Sequence, residues 1–300
     1  MTEIASGAWA AALTPLNEDL SIDHAAYDAH VRWLFATGCA GVAALGTTGE
    51  ANSFSVRERL ELIEHLSQGG HDSDRILIGV GCCAAQDTIE LTRAALNAGF
   101  HNVMMLPPFY YKNVSDEGVF GAYARVIEAV NDPRLNVIIY DIPPMTGFKI
   151  GVDLLRRLRE TFPDTVIGVK NSSGDWSAME ATLAELPGFK VFAGTEQFLL
   201  QTLRAGGPGC ISATANVTSR SLAEIYANWR SDKADAPQQA ATRNRLALQK
   251  HPPIPALKEI MAAVRQRPEW RRLRPPMTNL SNAEAEALLA TVRELGLDLA

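Results

Sequence analysis

Lysine is scarce in this chain: only seven of its 28 Lys and Arg residues are lysine. The remaining basic residues are arginines, and with a net charge of -6 and a pI near 5.6 they form no excess that would suit nucleic acid or an anionic lipid surface. Cysteine is equally sparse. Cys39, Cys82, Cys83 and Cys210 include no C-x-x-C pair, and each lies in or beside an apolar segment, so they read as reduced core or strand-end residues. The six histidines show neither H-x-H nor H-E-x-x-H spacing, which leaves a metal site without support. No apolar run approaches the ~20 residues that span a bilayer, and the first residues lack the pattern of a signal peptide. A cytoplasmic protein is expected.

What is present is a regular alternation. Short apolar, β-rich runs occur at residues 9–13, 41–45, 76–80, 103–106, 137–141, 166–170, 191–193 and 209–213, separated by longer segments of helical period. In residues 23–37, Tyr27, Val31, Leu34 and Phe35 share one stripe and Gly38 supplies a stop. Ser55 and Glu58 form a capping box, and Asn282 is placed to cap a last helix that Gly296 ends. Continuous apolar strands alternating with helices indicate a parallel sheet covered on its outer face, and eight such units close into a (β/α)8 TIM barrel. An open doubly wound sheet would show a G-x-G-x-x-G turn after its first strand, and Leu13-Thr14-Pro15-Leu16 is nothing like that. The expected division is a barrel core over residues 1–218, then the last barrel helix and a helical C-terminal extension over 219–300. Within that extension, residues 231–239 read as an exposed loop, being polar and carrying Pro237.

Reacting groups in such barrels sit at the C-terminal ends of strands. Lys170 ends the apolar run Val166-Ile167-Gly168-Val169 and is followed by the polar turn Asn171-Ser172-Ser173-Gly174-Asp175. A lysine there loses hydration, which disfavours its charged form and lets the amine attack carbonyl carbon. Most lysines after strands are merely surface residues, but no other lysine here ends such a run. Lys112 and Lys149 lie in polar stretches, Lys190 opens a strand and Lys258 belongs to a helical pattern. The second strand ends in Gly46-Thr47-Thr48-Gly49-Glu50, whose amides and hydroxyls can hold a carboxylate, although an ordinary glycine turn has the same look. The fifth ends in Tyr140-Asp141-Ile142-Pro143, where a phenol faces the barrel mouth or simply packs. Carboxylate cradle, proton-shuttling phenol and imine-forming amine are the parts needed to process a 2-oxo acid.

These three strings, with Pro107-Pro108-Phe109-Tyr110-Tyr111 and Gly209-Cys210-Ile211-Ser212-Ala213-Thr214-Ala215-Asn216, resemble the signatures of the dihydrodipicolinate synthase / N-acetylneuraminate lyase superfamily. The resemblance spans most of the chain in order. It implies a class I, cofactor-independent pyruvate lyase in which Lys170 forms the imine and Tyr140 is the general acid/base. It implies further that Thr47 and Thr48 bind the keto-acid carboxylate and that Thr47 relays protons between Tyr140 and Tyr111. The tyrosine matching Tyr111 reaches into a neighbouring subunit's site in this family, so a homodimer is the minimum unit and a homotetramer the usual form. Gly194 and Ile211 match positions whose backbone lines the pocket near the bound keto acid, Gly46 belongs to the substrate-binding cradle, and Glu50 matches a support behind the cradle rather than a catalyst.

Substrate choice departs from the synthase pattern at one point. Synthases carry an arginine shortly after the tyrosine motif to pair with an aldehyde carboxylate, and here the run Pro143-Pro144-Met145-Thr146-Gly147 puts Met145 in that place. A thioether cannot replace those charge-assisted bonds, a loss of about 1.5–3 kcal/mol. Val56, Arg59 and Cys83 stand where polar ligands for feedback lysine would be, so lysine feedback is not expected. The reading is a retro-aldol lyase acting on a 4-hydroxy-2-oxo acid or a 2-oxo-3-deoxy sugar acid, with 4-hydroxy-tetrahydrodipicolinate synthase as runner-up and a deoxy-oxo sugar acid dehydratase third. Two readings of other classes compete with it. A phosphate-binding barrel would use Gly206-Gly207-Pro208-Gly209 as an anion loop, but those glycines more simply turn the chain into the eighth strand. A non-catalytic binding protein would be expected to have lost one of the amine, the phenol or the threonines.

Overall fold

A computed structural model describes residues 4–297. The strands are β1 (Gly7–Ala11), β2 (Gly41–Ala44), β3 (Ile76–Gly79), β4 (Asn102–Met105), β5 (Asn136–Asp141), β6 (Val166–Asn171), β7 (Lys190–Ala193) and β8 (Gly209–Ser212). All pair in parallel, each with the next, and β8 closes back on β1. The (β/α)8 barrel expected from the alternation is therefore the fold, and its strand ends fall within a residue or two of the apolar runs. Period-two alternation decides the two faces of the wall. Trp9, Ala43, Leu77, Met104, Ile138, Phe192 and Ile211 fill the interior. Val42, Ile78, Val103, Val137 and Val191 face the helices instead.

Those helices are α1 (His24–Ala36), α2 (Val56–Gln68), α3 (Ala85–Asn97), α4 (Asp116–Val130), the one-turn α5 (Pro143–Thr146), α6 (Val152–Thr161), α7 (Trp176–Glu185), α8 (Leu199–Arg204) and α9 (Ala215–Asn228). Their ends are set by local chemistry. Asp23 caps α1 by accepting from Ala26 N, and Gly38 follows at φ 98°. Ser55 and Glu58 make the reciprocal capping box of α2. The last barrel helix begins at Ala215, ahead of the expected position 219.

Beyond it lie α10 (Asp235–Leu248), α11 (Pro253–Arg265) and α12 (Asn282–Glu294). Two expectations need correction here. Residues 231–239 are not a loop: a 3-10 turn, Asp232–Ala234, leads straight into α10, and Pro237 falls in the first helical turn, where no intrahelical donor is needed. Nor is Asn282 the cap of α12, because Ser281 takes that place with Glu284 in a capping box, while Gly296 does follow the end at φ 59°. α11 is buried almost all round, and it packs with Leu13, Val217, Trp270, Leu288 and Val292 in a core of its own.

Candidate active site

Register brings the central pair together. β5 and β6 pair so that Tyr140 stands opposite Lys170 and Asp141 opposite Asn171. Lys170 is only 4% exposed, and its Nζ lies 4.2 Å from the centroid of the Tyr140 ring, a cation–π distance when the amine is charged. The Tyr140 hydroxyl in turn lies 3.4 Å from Thr47 Oγ1, at the long end of a hydrogen bond. Gly46, Thr47, Asn52, Gly81 and Tyr140 line an open cleft at this end of the barrel. Amine, phenol and hydroxyl thus share one mouth.

The 46–50 loop is a tight, strained turn. Glu50 N donates to Thr47 O at 3.1 Å and Ala51 N to Gly46 O at 3.2 Å, while Leu45 and Glu50 both adopt left-handed backbone. Non-glycine residues hold that conformation only where their surroundings enforce it, at about 1–3 kcal/mol each. Thr14 Oγ1 anchors the turn by donating to Gly49 O at 2.8 Å. A Cβ on Gly49 would sit 2.9 Å from Ala12 O, so the backbones meet there only because the side chain is missing. Thr47 and Thr48 remain half-buried at the top of this turn.

Gly194, after β7, lies against the end of β6: its N–H donates to Asn171 O at 2.7 Å, and a Cβ would fall 2.1 Å from Ser172 Oγ. Ile211 is fully buried inside the barrel, in one cluster with Tyr140 and Phe192. Behind the wall, the neighbours of the central pair are tied together. Asp141 Oδ1 accepts from Ile150 N at 3.0 Å, and Oδ2 accepts from Asn171 Nδ2 at 3.3 Å. Burial pushes the Asp141 carboxyl up to about 6, with the Ile150 amide and Lys149 pulling partly the other way.

Two of the expected site residues lie elsewhere. Met145, on α5, is 55% exposed, and Tyr111 is 74% exposed with its ring edge-on to Tyr110. Neither is among the residues that line the cleft. Lys112 is engaged nearby, donating to the carbonyls of Phe109, Met145 and Thr146. Sequence reasoning missed the outward pair Asp141 and Asn171, although their place one residue beyond Tyr140 and Lys170 signals it. It also missed Lys258, read as an ordinary helical lysine. That side chain is wholly buried in α11 and ion-paired to Glu50, and the only hint was a lysine within the apolar stretch Pro255-Ala256-Leu257 and Ile260-Met261.

Comparison with known proteins places this geometry. A sequence model of the dihydrodipicolinate synthetase family matches residues 5–295. An uncharacterized DapA-like lyase of Chloroflexus aurantiacus is 31% identical over 294 residues, covering 96% of each chain. Dihydrodipicolinate synthase from Agrobacterium tumefaciens superposes with a TM-score of 0.90 at 31% identity, over 96% of this chain and 99% of that one. YagE of E. coli K12, solved in complex with pyruvate, gives a TM-score of 0.89 at 25% identity, over 98% and 100%. The chain belongs to the dihydrodipicolinate synthetase family.

Proposed function

We propose that this protein is a Schiff-base-forming, pyruvate-dependent lyase that cleaves a 4-hydroxy-2-oxo acid or a 2-oxo-3-deoxy sugar acid and releases pyruvate. The observation that carries the reading is the buried Lys170 amine held against the Tyr140 ring, with Thr47 at the phenol. Pyruvate bound to a family member of the same fold supports the keto-acid class.

Lys170 Nζ adds to C2 of the keto acid and one of its protons passes to the oxygen; Tyr140 supplies the second, and the oxygen leaves as water. The resulting iminium draws electrons. The C3–C4 bond then breaks as the C4 hydroxyl gives its proton to Tyr140, so that an aldehyde departs and the C3 pair enters an enamine. Protonation at C3 and hydrolysis of the imine return pyruvate and the free amine. Thr47 and Thr48 hold the carboxylate through amide and hydroxyl donors, Gly46 allows close approach, and the backbone of Gly194 and Ile211 lines the other side. No organic cofactor or metal enters this sequence. The exposure of Tyr111 suits a residue lent to a neighbouring chain, which makes a homodimer the minimum unit and a tetramer of two dimers the working form. A cytoplasmic location goes with this assignment.

Synthase chemistry is the second reading, favoured by the synthases among the relatives, such as that of Agrobacterium tumefaciens. The uncharged Met145 argues against it, since the carboxylate of aspartate semialdehyde would lack its guanidinium partner there. Pyruvate release from a panel of hydroxy-oxo acids, run beside condensation with aspartate semialdehyde, tests the order. Fast condensation with no cleavage of any panel member would reverse it.

A further inference from the structure

The C-terminal extension reaches back to the loop that carries Thr47 and Thr48. Lys258 Nζ, on α11, ion-pairs with Glu50 Oε1, and both side chains are wholly buried. The same ammonium donates to Arg272 O at 2.7 Å, and the other Glu50 oxygen accepts from Arg274 N at 3.0 Å. Arg274 continues the strap. Its guanidinium donates to Ser53 O at 2.7 Å and to Leu20 O at 2.7 Å, pairs with Glu58 and stacks 4.2 Å over the Phe54 ring. Glu50 is the last residue of the tight turn, held in left-handed backbone and bonded through its own N–H to Thr47 O.

We infer that Lys258, through Glu50, is a positioning residue that fixes the 46–50 turn in the shape that grips a keto-acid carboxylate. This rests on the function proposed above and adds the C-terminal extension to its machinery. The physical reasoning starts from desolvation. A buried ion pair contributes little net stability, because the cost of dehydrating two charges offsets most of their attraction, but it defines one geometry sharply. Here that geometry ties two C-terminal segments, α11 and residues 272–274, to one carboxylate at the distant 46–50 turn. A left-handed Glu50 would relax towards ordinary backbone without the tether, and the turn would carry Thr47 with it. Displacements of about an ångström at a binding group cost up to about a hundredfold in function.

The test uses the full-length protein with Lys258→Met and the double variant Glu50→Gln/Lys258→Met. The single variant strands a buried carboxylate and loses thermal stability; the double variant removes both charges and regains much of it. Positioning predicts that pyruvate affinity, read from the concentration dependence of borohydride trapping, falls about tenfold or more in both variants. Amide hydrogen exchange of the peptide covering residues 45–52 should also speed up in both, and that readout needs no ligand. Native pyruvate affinity or native exchange in the restabilised double variant would each overturn the inference. Should native protein fail to trap pyruvate, the proposed function fails, while unchanged exchange in the variants would still refute the strap on its own.

Discussion

Asp141 offers a quantitative handle on the wall behind the reacting pair. Its carboxyl is 1% exposed and titrates at about 6 against an ordinary 3.8, chiefly through burial. A pKa raised in the folded state means that folding favours the protonated acid. The stabilisation is therefore complete below about 3.8 and disappears as pH climbs through about 6. That rise makes the ionised carboxylate cost about 2–3 kcal/mol at pH 8, relative to the neutral acid. Asp141→Asn is neutral at every pH and nearly isosteric. Its amide oxygen can still accept from Ile150 N, while the amide facing Asn171 imposes a fixed offset that does not vary with pH. The decisive quantity is thus a difference of differences. Urea unfolding of variant and native protein at pH 4 and at pH 8 should show the variant gaining roughly 2–3 kcal/mol on the native protein between the two. Parallel curves at both values would refute the assignment of a costly buried carboxylate to this position.

Other outcomes are equally definite. Tyr140→Phe should lower kcat about 10²–10⁴-fold with a smaller change in KM, since the ring still packs but no proton moves; steady-state pyruvate release measures it, and an unchanged kcat would exclude Tyr140 as the shuttle. Met145→Arg should raise the rate with aspartate semialdehyde by a few-fold and leave cleavage of neutral sugar acids within about threefold, because a guanidinium at this exposed rim adds about 0.2–1 kcal/mol to a carboxylate. Sedimentation at assay concentration should give a dimer or tetramer, and a fully active monomer would contradict the role given to Tyr111.

Much of this was legible in the sequence because a parallel barrel writes itself in short apolar runs, and its chemistry sits where each run stops. Lys170 and Tyr140 were readable for that reason, and β-pairing only had to set them side by side. What escaped was whatever depends on contacts between distant segments. Lys258 finds Glu50 only once α11 has folded against the 46–50 turn, and no local period announces that. Residues 231–239 have the composition of a loop, yet Gln238 is drawn inward by Leu200 N and by the carbonyls of Glu196 and Gln197, and tertiary packing overrides the composition. Met145 followed the chain order of the motif, but order does not fix exposure, and a one-turn helix leaves it at the rim.

Incubation with pyruvate and borohydride, followed by intact mass and peptide mapping, reaches the centre of the account. One reduced pyruvate per subunit, attached at Lys170 and absent from Lys170→Ala, is the expected result. An unmodified subunit mass, or an adduct on any other lysine, would contradict it.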